Sequence, residues 1–255
     1  MSEKSYKILK EFCTNEDWRN KENSVTGSEG PTVRVSKICE ILDSEDIKYN
    51  FDKFEDERSN FYYNVEVGFK AKKDTDETIV FTAHHDVVVP DGENCQDNTA
   101  SVVNLIELCF RLVSKDLDRN VYVVFTDCEE FGGIGAERLS DRINNGVLGD
   151  VKEVFNSELT ALGQNIWMES QGVCTEETLG KIDVTKITIK NCPFNDSVVL
   201  RNNGIKSICF GILPDECINV GYSSTWQLCH RKADKFELSN SEDMDFYVNF
   251  LESII

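Results

Sequence analysis

His84 and Asp86 stand in an H-x-D arrangement directly after Ile79 to Ala83, a short apolar run rich in residues that favour strands. In an extended chain, residues two apart point to the same side. Asp86 can therefore sit behind the His84 imidazole and fix its tautomer, the common arrangement around a metal-bound histidine. His85 would face the opposite way. Asp97 ends a polar loop just before a long apolar stretch, where a carboxylate is held rigidly and can bridge two cations. A helix N-terminus also favours an acid there for its dipole alone. Glu129 and Glu130 follow a second strand-like run, Val121 to Thr126, and lead into Phe-Gly-Gly-Ile-Gly. Adjacent carboxylates at a strand end repel unless a cation or proton compensates them. One of the pair can hold metal while its neighbour serves as general base for water.

A further acid and a distant histidine complete the set, giving two cations near-equivalent nitrogen and oxygen surroundings. Two-metal sites of this kind activate water and stabilise both oxygens of an acyl-transfer transition state. Imidazole with carboxylate suits Zn2+, with Co2+ or Mn2+ as alternatives. Cys95, Cys128 and Cys229 adjoin these positions and read as neighbours of the site rather than ligands.

The elements that must position these groups follow from the hydrophobic pattern. Residues 2 to 14 read as a helix with Tyr6, Leu9, Phe12 and Cys13 on one face, and residues 20 to 30 as a polar loop. Pro31 opens a second helix as its first-turn residue, with Val35, Ile38, Cys39 and Leu42 as the buried stripe. Tyr49 to Phe54 and Phe61 to Phe69 alternate apolar and polar, as expected of half-exposed antiparallel strands at a sheet edge. Thr99 to Val113 is a buried crossover helix capped by Asn98 or Thr99, and a further helix runs from about Gly135 to Asn144. Val151 to Phe155, Gln164 to Met168, Ile182 to Ile189 and Ser207 to Leu213 read as strands, and Asp196 to Asn203 as a short helix. Ser239 with Glu242 forms a capping box for a terminal helix carrying Met244, Tyr247, Leu251 and Ile254. Strands alternating with helices predict one α/β domain over residues 1–255: doubly wound, with a mixed, mostly parallel sheet and helices on both faces. In such sheets, sites form beyond the carboxyl ends of the strands, where the His, Asp and Glu clusters fall.

Composition narrows the partners. A net charge of −19 and a pI near 4.6 argue against nucleic acid or an anionic membrane surface. No run approaches the roughly 18 apolar residues of a membrane span, and the charged N-terminus does not read as a signal peptide. The ten cysteines show no CxxC pair, so reduced thiols in a cytoplasmic protein are expected.

The segments HHD, QDN, CEEFGGIG, NSELTALG and CHRKAD, in that order, resemble the motifs of the co-catalytic zinc aminopeptidases, metallopeptidase family twenty-eight. GSEG at 27–30 and NDSVVLRNNGIKSI from Asn195 are similar to further motifs of that family. The resemblance implies a zinc-exopeptidase-like fold of the phosphorylase/hydrolase-like type and a two-zinc site. In it, His84 and Glu130 each lie on one zinc and Asp97 bridges. Glu158 is the acid of the opposite metal and His230 that metal's imidazole. Glu129 is the general base, Asp86 orients His84, and Asp234 supports His230. The chain departs from the family where Glu158 replaces an aspartate, with Glu153 and Glu169 as alternatives, where His230-Arg231 replaces His-Thr, and where Asn195-Asp196-Ser197 replaces Ser-Asp-His. The stretch from Met168 to Asn195 is too short for an inserted dimerisation domain. Tyr222 reads as structural, with polarisation of a substrate carbonyl as its other role.

The function implied is a metal-dependent exopeptidase that takes an N-terminal residue from a peptide or aminoacyl substrate. A glutaminyl-peptide cyclase is similar in fold but uses one zinc held by an Asp, a Glu and a His. A non-catalytic binding domain on the same scaffold is the third reading. Oligomeric state and side-chain preference are not legible.

Overall fold

Eight strands frame the chain: Tyr49–Glu55 (β1), Phe61–Phe69 (β2), Glu77–His84 (β3), Asn120–Thr126 (β4), Asp150–Ser157 (β5), Asn165–Glu169 (β6), Thr188–Lys190 (β7) and Ser207–Leu213 (β8). They come from a computed structural model that describes residues 1–18, 30–56, 59–89, 91–220 and 226–255. All eight lie in one sheet, in the order β1-β2-β4-β3-β5-β8-β6-β7. The central block β4-β3-β5-β8 is parallel, β1 and β2 are antiparallel on one side, and β6 and β7 pair parallel on the other, with β6 antiparallel to β8.

Parallel strands buried on both faces need helices above and below. On one face lie Glu3–Thr14 (α1), Val33–Ser44 (α2), Ala100–Leu112 (α3) and Ser241–Ser253 (α7), packed with Ile79, Phe81, Phe125, Phe155 and Phe210 into the larger core. On the other lie Ile134–Asn144 (α4) and Asp196–Asn202 (α6), which enclose Val80, Val124, Val154, Leu139 and Leu200. Each fully buried large apolar side chain contributes about 1.5–3 kcal/mol. The helix Glu176–Lys181 (α5) leads towards β7.

Four local expectations need correction. Pro31 stands just before the second helix, whose cap is Thr32; its hydroxyl accepts from the Val35 N–H at 3.3 Å. The terminal helix is capped by Asn240, not Ser239, with the Asn240 side-chain oxygen Oδ1 accepting from the amides of Glu242 and Asp243. In place of the strand expected over Ile182–Ile189, strand pairing is confined to Thr188–Lys190, because Val184–Lys186 forms a 3-10 turn. β2 is not half-exposed: α4 covers its polar side, with Arg142 forking onto Glu66 at 2.6 and 2.7 Å and Asn64 donating to the Gly135 carbonyl at 3.0 Å.

Gly135 marks the closest approach in that packing. A Cβ there would sit 2.4 Å from the Asp127 carbonyl oxygen and 2.7 Å from the Asn64 side chain. Neither can retreat without breaking the turn that leads to Glu129. Gly135→Ala is expected to cost about 3 kcal/mol, the upper end for overpacking a close-packed interior, measured by urea unfolding with unchanged m-value.

Candidate metal centre

Each site residue leaves the carboxyl end of a central parallel strand or a loop folded over those ends. His84 is the last residue of β3, Glu129 and Glu130 lie in the turn between β4 and α4, and Glu158 directly follows β5. Asp97 sits in the irregular turn Cys95–Thr99 ahead of α3, and His230 follows the short turn Trp226–Leu228. The turn after β4 reverses tightly, with the Gly133 N–H donating to the Cys128 carbonyl at 2.9 Å. Gly133 has φ +74°, and a Cβ there would meet Val199 at 2.6 Å.

Asp97 stands at the centre. Its Oδ1 is 3.3 Å from His84 Nε2 and its Oδ2 is 3.4 Å from His230 Nε2. Glu158 Oε2 lies 3.6 Å from His84 Nε2, and Glu130 Oε2 lies 2.8 Å from His230 Nε2. Three trios lie close enough to hold a cation: His84–Asp97–Glu158 and Asp97–Glu130–His230, with Asp97 common to both, and His84–Glu129–Glu130. Glu129 Oε2 is 4.0 Å from His84 Nε2, and its carboxylate faces the same opening. No cysteine enters these groupings among the described residues.

This pairing differs from the expected one, in which Glu158 and His230 share a metal opposite His84. β5 runs directly beside β3, pairing Thr82 with Asn156, so Glu158 emerges next to His84. The alternatives at that position are engaged elsewhere. Glu153 accepts from Thr175 and Thr178 at the start of α5, and Glu169 is clasped by Arg201.

Surrounding groups hold the set in place. Asp86 meets His84 Nδ1 with both its backbone carbonyl and its Oδ1, each at 3.2 Å, and its two carboxylate oxygens accept the amides of Glu129 and Glu130, each at 3.1 Å. Asp86 thus orients the imidazole and the acidic turn together. Removing such a partner weakens metal binding by about 10–100-fold. Asp86→Ala should shift zinc affinity by that factor in a competition titration, with secondary structure retained. His85 turns away and bonds the Tyr63 carbonyl at 2.8 Å. Asp234 does not support His230 as expected; it accepts the backbone amides of Gln96 and Asp97 at 2.8 and 3.1 Å and so fixes the turn carrying Asp97. Thr99 stands at the N-cap of α3, as expected, but its side chain makes no capping hydrogen bond. The Asn98 amide donates to the Ser157 carbonyl at 2.9 Å and Thr99 Oγ1 to the Asn94 carbonyl at 2.6 Å.

The electrostatics call for positive charge. Burial pushes the Glu129 carboxyl well above its usual range, with His84 opposing and Glu158 and Asp196 adding to the shift. Burial, reinforced by Asp97, moves Glu130 up to about 8, and burial also raises Glu158. Burial works against the Asp97 carboxylate too, yet hydrogen bonds from His230 and His84 hold it below its usual range. Glu130 Oε1 is buried without a hydrogen-bond partner. A donor set of imidazole and carboxylate oxygens with an orphaned acceptor suits zinc-class cations, which would replace the protons these carboxyls otherwise attract.

Sequence reasoning gave no role to Asp196, which is fully buried and accepts from Thr126 Oγ1 at 2.5 Å beside this cluster. Its place in the Asn-Asp-Ser segment was the available signal. The site opens into a cleft of about 420 Å³ whose apolar wall includes Leu159, Cys192, Phe194 and Trp226, supplied by loops whose placement no local pattern reveals. Tyr222 and residues 27–29 of the Gly-Ser segment lie outside the described residues.

An open, mostly parallel sheet with this cluster beyond its strand ends defines a zinc-exopeptidase-like α/β protein. The chain belongs to peptidase family M28, whose sequence model matches residues 64–249. No curated protein matches it by sequence. Among solved structures, it is similar to BSAP, a zinc aminopeptidase from Bacillus subtilis, with 18% identity, TM-score 0.65, and coverage of 77% of this chain and 50% of that one. It is similar to the LapA aminopeptidase of Legionella pneumophila at 13% identity and TM-score 0.73, covering 100% and 70% of the two chains. Glutaminyl cyclase from Porphyromonas gingivalis matches at 14% identity and TM-score 0.70, covering 98% and 96%. The chain spans about half the length of the Bacillus subtilis enzyme. No described helix is long and apolar enough to cross a membrane.

Proposed function

We propose that the protein is a zinc-dependent aminopeptidase that removes N-terminal residues from peptides. The observation that carries this is the Asp97 carboxylate, which turns one oxygen to each of two imidazoles on opposite sides. His84, Asp97 and Glu158 would hold one zinc, and Asp97, Glu130 and His230 the other. Bound there, the ions supply Lewis acidity, lowering the pKa of a water and polarising the scissile carbonyl.

The remaining steps belong to the chain's own groups. Glu129 takes the proton from the attacking water and passes it to the leaving amine. Burial favours the protonated form that this second transfer requires, and His84 favours the ionised form needed for the first. Asp86 and Asp234 hold the loops in register, and the apolar wall receives the N-terminal side chain. Ten cysteines, none in a disulfide, suit the reducing cytoplasm in which we place the enzyme.

A cyclase acting on N-terminal glutamine is the second reading, favoured by the nearly end-to-end match to the Porphyromonas gingivalis enzyme. Zinc-loaded protein should be offered aminoacyl anilides and glutaminyl peptides side by side. The proposal expects release of aniline from the first. Ammonia release with pyroglutamate formation from the second, and no hydrolysis, would replace it with the cyclase.

A further inference from the structure

Arg231 is the one arginine without a partner among the described residues. Arg34, Arg111, Arg119, Arg138, Arg142 and Arg201 each donate to a carboxylate, hydroxyl or carbonyl. Arg231 is exposed and, among the described residues, takes part in no hydrogen bond, ion pair or ring contact, although the chain carries 46 acidic residues. It is also the only Lys or Arg among the described residues lining the cleft, where it follows His230 and faces a site that includes Asp97, Glu129, Glu130 and Glu158. His230 itself is 58% exposed, so Arg231 stands on the open side of the centre.

Even with two divalent cations offsetting the site's own carboxylates, a chain of net charge −19 keeps a negative field that attracts a substrate's amino group and repels its carboxylates. A guanidinium held free at the rim reverses that locally, and its fork matches a carboxylate with two parallel hydrogen bonds. We infer that Arg231 binds a substrate carboxylate, making this a site for short peptides that present an acidic group a short reach beyond the scissile bond. That group is either the C-terminal carboxylate of a dipeptide or an acidic side chain. The inference rests on the aminopeptidase reading and goes further by assigning the substrate's second charged end.

The test compares three substrates sharing the N-terminal residue best accepted as an aminoacyl anilide: a dipeptide ending in alanine, the same dipeptide as its C-terminal amide, and a dipeptide amide with aspartate second. At low salt, kcat/KM for one or both carboxylate-bearing substrates should exceed that for the neutral amide by roughly tenfold, as expected of one charge-assisted pair at an exposed rim. Preference for the free dipeptide identifies the terminal carboxylate, and preference for the aspartyl amide identifies a side chain. The preference should vanish in Arg231→Ala and persist in part in Arg231→Lys. Equal rates for all three substrates, or a preference retained in Arg231→Ala, overturn the inference while leaving the aminopeptidase reading intact. No cleavage of any aminoacyl substrate by zinc-loaded protein overturns both.

Discussion

Glu129→Gln should lower kcat by about 10³–10⁴-fold, near the top of what a positioned general base contributes, while zinc content stays at the wild-type level. Glu129 faces the cleft 4.0 Å from His84 Nε2, yet Asp97 and Glu158 stand nearer that imidazole, and Glu130 is the acid beside His230. Glutamine keeps the size and the hydrogen-bonding shape of the side chain but cannot accept a proton. Its backbone amide still donates to Asp86, so the turn and Glu130 stay where they are. A tenfold loss in rate corresponds to about 1.4 kcal/mol of barrier, so the expected loss is about 4–5 kcal/mol of transition-state stabilisation. Steady-state rates and elemental analysis on the same preparation check both halves. Loss of zinc together with activity would assign Glu129 to the ligand set instead.

Asp97→Asn should have the larger effect on metal. The two trios that flank Asp97 both depend on this carboxylate, so its loss leaves each of those cations with only one imidazole and one carboxylate from the protein, below the three protein ligands usual for a catalytic zinc. An amide oxygen carries no charge to offset two ions and cannot bridge with two equivalent oxygens. Zinc retained after buffer exchange should fall below one per chain, and activity to about 1% or less, consistent with loss of the Lewis-acid contribution. The fold should survive, because the amides of Gln96 and Asp97 remain anchored on Asp234. Retention of full zinc and activity would show that the ions do not share this residue.

The strand ends were readable because period-two alternation and β-branched runs stop where the chemistry begins. The H-x-D spacing alone places Asp86 behind His84, and the same alternation turns His85 away, where it meets the Tyr63 carbonyl. What was not readable depends on neighbours distant in sequence. The pairing of Glu158 with His84 follows from β5 lying beside β3, a matter of strand order rather than local pattern. Glu66 and Asn64 alternate as solvent-facing residues would, but Arg142 and Gly135 of α4 cover them. Ser239 satisfies the capping-box pattern, yet its hydroxyl donates to the Phe236 carbonyl and leaves the cap to Asn240. Asp234 lies four residues from His230 and invited a role there, whereas folding brings it to the amides at 96 and 97.

The most direct test of the account is the number of zinc ions per chain. Protein purified without chelator should be dialysed against zinc, passed over a desalting column and measured by elemental analysis. The shared Asp97 and the two imidazoles predict two zinc ions per chain. One ion per chain would contradict a shared-carboxylate centre and move the single-zinc cyclase to the front, since each trio that includes Asp97 has the same Asp-Glu-His composition. None would mean that these residues hold no metal at all.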